Sequence, residues 1–540
     1  MNEMKSLKKY FSLFLCFALV LTLLVSCKNE EPAESDSTTE LEETTESTTA
    51  SNELNDGTPD APPAAPPAAP PTETPEPVGE LEFRLQSNDT YAVAVGTMKN
   101  AETIVIPATY EEKAVTAVAN MGFQECAKLK SVSIPDSVKS IGMYSFYHCS
   151  ALESIEIPAG VTSIGKSAFS GCDKLTSLKL PFIGETKDGT QNTHLGYIFG
   201  AISASKNSSS LPTALTEIEV MGGTVIGSSA FYGCNYLTKI TLPDSIETIG
   251  SSAFFDCRNL TEITLPRSLQ RIGSSAFSYC RLERVNVNDL AAWFAIEFEN
   301  QDSNPLRYAE NFCLNGELVT ELTVPDGVTA ICEGMFAKYA ALTSVVLSDS
   351  VVTVGESAFE GCAALRSVTL GRGTKSIGAN AFRQCALLDT VNFGEGLEEI
   401  GTKAFLGCVS LREVVLFSGV KEIGDGAFCA CDALQRVVLS SSLTSLGNEV
   451  FFLCGALEEM VLPDGVESIG RWVFSDGVIL RSIVIPKSVT SIGAFSFYGC
   501  SSLTDIYFTG SEAEWAQIDA TEAYLPSGAT VHFNYHLSNS

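Results

Sequence analysis

Histidine is almost missing from this sequence: four residues in 540, at positions 148, 194, 532 and 536. That scarcity removes most metal centres and most acid–base dyads, which lean on imidazole. Positive charge is also short, since 34 Lys and Arg face 65 Asp and Glu for a formal net charge of −31. A nucleic-acid partner is not expected, because a phosphate backbone needs a basic face. No Cys-x-x-Cys, Gly-x-Ser-x-Gly or His-Glu-x-x-His occurs, and no Gly-rich phosphate loop precedes a helical pattern. The common signatures of zinc, acyl-transfer and phosphate chemistry are therefore lacking, and no cofactor is expected.

Long apolar runs are lacking too, with one exception. Tyr10–Val25 follows Lys5, Lys8 and Lys9, the layout of a secretory signal. It is short for a span of ~30 Å, which takes about 20 apolar residues. Leu24-Val25-Ser26-Cys27 resembles the lipobox of bacterial lipoproteins. The resemblance implies cleavage after residue 26, a diacylglycerol on the Cys27 sulfur, and an exported chain lipid-anchored to the membrane of a bacterial envelope. Lys28-Asn29-Glu30-Glu31 is similar to signals that send such lipoproteins to the outer face, which implies surface exposure. From residue 27 to 80 the chain is acidic and then Pro-rich, with Pro-Pro-Ala-Ala units between Ala61 and Pro71. Such composition buries too little to fold and is expected to act as a tether.

What the sequence has in abundance is repetition. Leu152–Cys172, LESIEIPAGVTSIGKSAFSGC, returns with a 23-residue period, and its Phe recurs from Phe123, Phe146 and Phe169 to Phe474 and Phe497. Cys follows three residues after each such Phe, except where Tyr339 and Gly477 stand. A fixed period of this size predicts a solenoid whose coils bury themselves only against their neighbours. Within a coil, Leu152, Ile155 and Ile157 face inward on a strand that Pro158 ends, for want of a ladder donor. Val161 and Ile164 make a second short segment, Gly165 is expected to serve a tight turn, and Ser167-Ala168-Phe169 a brief helical turn. Stacking puts parallel strands ~4.8 Å apart, with equivalent side chains in inner rows behind an unbroken outer sheet.

The pattern Leu-x-x-Ile-x-Ile-Pro-x-x-Val-x-x-Ile-Gly-x-x-Ala-Phe-x-x-Cys resembles the BspA-like leucine-rich repeats of bacterial surface proteins. The fold class expected is thus a leucine-rich-repeat solenoid of about 14 coils of 23 residues, with a parallel β-sheet face, short helical turns and two inserts. The resemblance implies adhesion, by binding a protein or glycoprotein of a host matrix or of another cell. Residues 81–117 are expected to form an N-terminal cap and first strand, 118–506 the solenoid, and 507–540 a C-terminal cap. The inserts, near 182–212 and 288–318, are expected to pack over one coil. Trp293 and Trp515 follow repeat strands in similar surroundings, as two uses of one plug.

The cysteine row invites zinc or disulfide readings. Four zinc ligands must converge, whereas these thiols form a line, so buried reduced packing is expected. Acidic pairs such as Glu398-Glu399 are expected to face water; a glycan-active enzyme using carboxylates on adjacent coils is the remote alternative. A binding strip is expected on the outward side of the main strand. There Val415, Val438, Val461, Val484 and Tyr507 fall on five successive coils, with Arg412, Arg436 and Arg481 beside them. An apolar row on consecutive rungs makes a patch of the kind that marks partner surfaces. The sequence supports two roles, a non-catalytic surface adhesin and a passive envelope spacer or surface-layer component.

Overall fold

The structure, a computed structural model, describes residues 79–536. The expected signal peptide, Cys27 and nearly all of the tether lie outside them. Glu82–Leu85 and Tyr91–Ala94 pair antiparallel, and Tyr91–Ala94 then pairs parallel with Lys113–Val118 to open the array. From there the chain winds a parallel-strand solenoid of about 19 turns, the Phe–Cys coils being joined by turns from the inserts and the two ends.

Most coils have a main strand of three or four residues and a second strand of two. Both sets stack parallel and in register. Ile155 lies beside Leu178 and Leu178 beside Ile218 on the main sheet, while Ile377 lies beside Ile400 and Ile400 beside Ile423 on the second. Apolar and polar residues alternate on the main strand, so Ile155, Leu178 and Ile218 are buried while Glu156 and Lys179 face out. The outer sheet is not unbroken, however. Its hydrogen-bond ladder runs in blocks, with gaps between Thr390–Asn392 and Glu413–Val415 and between Arg436–Val438 and Glu459–Val461.

The third side of the coil, at the repeated Phe, is tighter than a helical turn. The residues two before and two after the Phe are left-handed in coil after coil, as in Ser167 and Gly171 (φ 59° and 76°) or Lys403 and Gly407 (57° and 75°). Alternating hands turn every second peptide the same way. The amides of Lys403, Phe405 and Gly407 donate to the carbonyls of Asp425, Ala427 and Cys429 in the next coil, at 2.8 to 2.9 Å. This third ladder fixes the vertical spacing at which the Phe rings meet. From Phe336 through Phe451 the rings stack at 5.2 to 5.8 Å with interplanar angles of 3° to 11°. Offset stacking of this kind adds ~0.5–1.5 kcal/mol per pair beyond the burial of the ring.

The cysteine row is buried, and all its thiols are free. Most of them do more than fill space. The Cys408 thiol donates to the Phe382 carbonyl of the coil before (3.2 Å), and Cys149, Cys257, Cys385 and Cys500 do the same with their own Phe partners at 3.0 to 3.1 Å. Tyr339, where a Cys would stand, meets the same need at longer range: its hydroxyl reaches the Phe312 and Val319 carbonyls at 3.2 and 2.6 Å. Burial pushes the thiols of Cys172, Cys280 and Cys500 up to about 12, so they stay protonated donors and poor nucleophiles.

The repeated Ile-Gly pair serves a purpose other than the expected turn. Gly165 is not left-handed. A Cβ there would meet the backbone of the preceding coil, with Gly142 C and Met143 Cα both at 2.7 Å. The glycine column is therefore a close backbone approach between coils, which is one of the two reasons a chain needs glycine.

The inserts also differ from expectation, since they lie between coils instead of over one. The first accepts from the coil before it (Phe169 N to Ile198 O, 2.9 Å) and donates to the coil after it (Leu195 N to Ala230 O, 2.8 Å). Each insert supplies a buried Asn to the corner ladder. Asn207 Nδ2 donates to the Tyr232 carbonyl and Asn304 Nδ2 to the Met335 carbonyl, both at 3.0 Å. Their side-chain oxygens accept from the Gly196 and Leu306 amides. The two Trp elements are alike in form. Trp293 lies in the last turn of a short helix capped by Asp289, and Trp515 ends one capped by Ser511. Only Trp293 is buried; Trp515 packs edge-on to Phe508 at 5.2 Å and stays partly exposed.

Asn207 also holds His194, whose Nδ1 lies 2.9 Å from Oδ1. Because Nδ2 is committed to Tyr232, the oxygen must accept, which places the histidine proton on Nδ1. Burial lowers the His194 pKa, and the Asn207 hydrogen bond only partly offsets this. The unfolded chain therefore takes up a proton near its ordinary pKa of about 6.5 while the folded chain resists. The stability this ring contributes is complete above that value and falls as the pH drops below it. Urea midpoints measured between about pH 7 and pH 5 should fall more steeply for the native sequence than for His194→Gln. Equal slopes would assign the acid sensitivity elsewhere.

Candidate binding face

The outward positions of the main strands form a column because the strands are in register. Val415 lies beside Val438, Val461 beside Val484, Val484 beside Tyr507, and Tyr507 beside His532. Exposure divides the expected strip. Val438 and Val461 are 38% and 42% exposed and Val415 is half-buried, but Val484 is only 7% exposed. Tyr507 stacks against His532 (4.8 Å between centroids, 19°) and lies 4.5 Å from Tyr535. The C-terminal segment thus folds back beside the last two rungs, with the Tyr535 amide donating to the Phe508 carbonyl at 3.1 Å. Val484 is accordingly removed from the strip, and Tyr507 presents an edge shared with two other rings.

One residue that the sequence reading missed belongs to the face. Phe417, 43% exposed, leaves the same strand as Val415. It occupies the place where other coils put Pro158, Pro181 or Pro463, and that substitution was the available signal. The open apolar surface is therefore Val415, Phe417, Val438 and Val461. Val346, 42% exposed, lies apart from this surface, one rung before Thr369 and two before Asn392.

The arginines rim the face unequally. Arg436 pairs with Glu413 on the neighbouring strand, Arg481 approaches Glu458 at 4.0 Å, and Arg412 is exposed on the loop before Glu413. Exposed pairs of this type contribute ~0–1 kcal/mol, so they cost little to exchange for contacts with a partner. Beyond the strip, His532 Nε2 contacts Asp505 Oδ1 at 2.7 Å, which holds that carboxyl below its ordinary value. On the second sheet Glu398 sits between Lys375 and Lys421 at 3.1 and 2.8 Å, an exposed charge ladder that also lowers its pKa. None of these groups adjoins an activated nucleophile. The chemistry on offer is burial of apolar surface with adjustable charge around it.

Stacked parallel strands of this period, with aligned Leu, Ile, Phe and Cys rows, define a leucine-rich-repeat solenoid. The family model described as "BspA type Leucine rich repeat region (6 copies)" matches residues 97–190, 222–300, 308–435 and 421–518, and the chain belongs to that family. Among solved structures it is similar to a leucine rich cell surface protein of Faecalibacterium prausnitzii, at 24% identity over 82% of this chain and 96% of that one, with a TM-score of 0.28. It is also similar to a leucine-rich repeat protein of Bacteroides ovatus, at 24% identity over 84% and 98% with a TM-score of 0.34. A third, from T. pallidum, is 28% identical over 39% of this chain and 86% of that one, with a TM-score of 0.29. No curated protein matches the chain. Among the described residues no helix is long and apolar enough to cross a membrane.

Proposed function

We propose that this protein is an exported, lipid-anchored surface protein that binds a protein or glycoprotein of a host matrix or another cell through the open apolar face, without catalysis. The observation that carries the reading is the exposed pair Val438 and Val461, continued by half-buried Val415, with exposed Phe417 beside it. A row of this kind on the stacked rungs of a solenoid needs no ordering before it binds, so less of the contact energy is lost on association. Family membership supports a binding scaffold, because repeat solenoids generally present extended surfaces to partners. The Lys-rich start, apolar run and Cys27 support lipid anchoring.

The test uses the 81–540 fragment against a panel of immobilised extracellular-matrix proteins and intact cells. Val438→Lys with Val461→Lys puts two charges into the centre of the face without touching the buried rows. The double variant should lose at least about tenfold in affinity at unchanged melting temperature, the loss expected when a desolvated anchor is replaced. Binding that survives the double change would take the face out of consideration, and a native fragment that captures nothing on the panel would favour the passive spacer. Metabolic labelling with a radioactive fatty acid should mark the native chain and leave Cys27→Ser unlabelled.

A further inference from the structure

A second cluster of exposed side chains sits on a different side of the coil, at the Phe corner of the last turns. Trp472 and Phe495 stack at 4.4 Å and 14°, and Phe495 and Tyr524 at 4.7 Å and 14°. Tyr498 stands across the edge of this stack, 6.1, 6.2 and 5.9 Å from the three rings at 67°, 75° and 79°. None of these belongs to the inner Phe row, which runs on through Phe474 and Phe497 at 5.6 Å. Tyr498 and Tyr524 are 48% and 54% exposed.

Folding alone does not call for rings at these positions. Trp472, Phe495 and Tyr524 have φ of 62°, 62° and 56°, the left-handed region. Most earlier coils fill the place of Trp472 and Phe495 with a small or polar residue such as Ser229, Ser252, Ser275, Gly334, Asn380 or Gly426, although Met121 and Tyr144 stand there near the start of the array. A side chain there carries backbone strain that glycine would avoid. A carboxylate lies beside the residue that follows Tyr498. The Asp476 amide donates to the Tyr498 carbonyl at 2.7 Å, and its Oδ1 lies 2.5 Å from where a side chain on Gly499 would begin.

We propose that Trp472, Phe495, Tyr498 and Tyr524, with Asp476, form a binding site for the sugar rings of an uncharged glycan. A sugar ring has apolar C–H faces and a rim of hydroxyls. The exposed rings of Tyr498 and Tyr524 answer the first, and their phenol tips with the Asp476 carboxylate answer the second. The stack holds the rings rigid, so little side-chain entropy is lost on binding. An anionic membrane does not fit, because Glu449, Asp476 and Glu522 outnumber Arg471 in the segments that carry the rings. A protein partner is served by the valine face, where apolar anchors have arginine at the rim. The two sites are separate and fail separately.

The test is electrophoresis of the full chain through native gels containing hydroxyethylcellulose, galactomannan or dextran, with polygalacturonate as an anionic comparison and polymer-free gels as reference. The native chain should be retarded by at least one neutral polymer. Tyr498→Ala with Tyr524→Ala should raise the apparent dissociation constant at least about tenfold, because it removes the two most exposed rings of the cluster. Trp472→Phe, which keeps a ring, should retain retardation, and so should Val438→Lys with Val461→Lys. Circular dichroism of the Tyr498/Tyr524 variant should match the native chain, both side chains being half-exposed. Unaltered native mobility in all three neutral gels, retardation by polygalacturonate alone, or retardation undiminished in the tyrosine variant would each overturn the proposal.

Discussion

Phe405→Ala should cost about 3–5 kcal/mol and split the unfolding of the solenoid into two transitions. The ring is fully buried and stacks on Phe382 at 5.2 Å and on Phe428 at 5.3 Å, with Phe393 edge-on at 5.7 Å. In a globular core such a loss is shared among neighbours on all sides. Here each coil touches only the coil before and the coil after, so the cavity falls on the one route by which the halves support each other. The measurement is segment-resolved hydrogen exchange through a urea series. Coils on the 382 side and the 428 side should lose protection together in the native chain and at separate midpoints in the variant. One shared midpoint, unshifted, would mean that the sheet ladders alone couple the coils.

An equally large loss is expected from a single methyl group at Gly401. A Cβ there would meet Ala379 N and Gly378 C at 2.7 Å and Ile377 O at 2.8 Å, all backbone atoms of the coil below. No rotamer relieves a clash between main chains, so Gly401→Ala must push two coils apart and stretch the ladders on both sides of the gap. The control lies in the same array. Gly455 has nothing within 4 Å of its would-be Cβ, and its φ is not left-handed. Gly455→Ala should change the stability by no more than about 1 kcal/mol, with the gain in unfolded-state rigidity acting in its favour. Thermal melts of the two variants side by side decide the matter: equal melting temperatures would show that the coils are looser than the glycine column implies.

The stacking of coils was legible because period and burial say the same thing. A Phe and a Cys that return every 23 residues have no way to be buried except in rows, and residues 97–518 deliver those rows. The reason for glycine after Ile was not legible, since a turn and a close approach select the same residue. The cysteine row was legible as buried and reduced, yet its S–H donation to the Phe carbonyl depends on the left-handed corner, which composition does not announce. Asn207 gave no signal at all: an Asn in a Ser-rich stretch looks like any loop residue until the insert closes around it.

The binding face shows the same division. Alternation along each main strand determined that Val415, Val438, Val461, Val484 and Tyr507 share one outward column, because side-chain direction has period two and parallel strands of equal length stay in register. Whether a column position meets solvent depends on what other chain segments come to lie above it, and those contacts are non-local. Tyr535 and His532 close over Tyr507, and Val484 is lost to the surface, while Phe417 comes into the open where its coil dispenses with proline. By itself the sequence determined the fold and the direction in which each repeated side chain points. Only the tertiary structure decided which outward side chains remain uncovered, since cover is supplied by caps and inserts that obey no repeat.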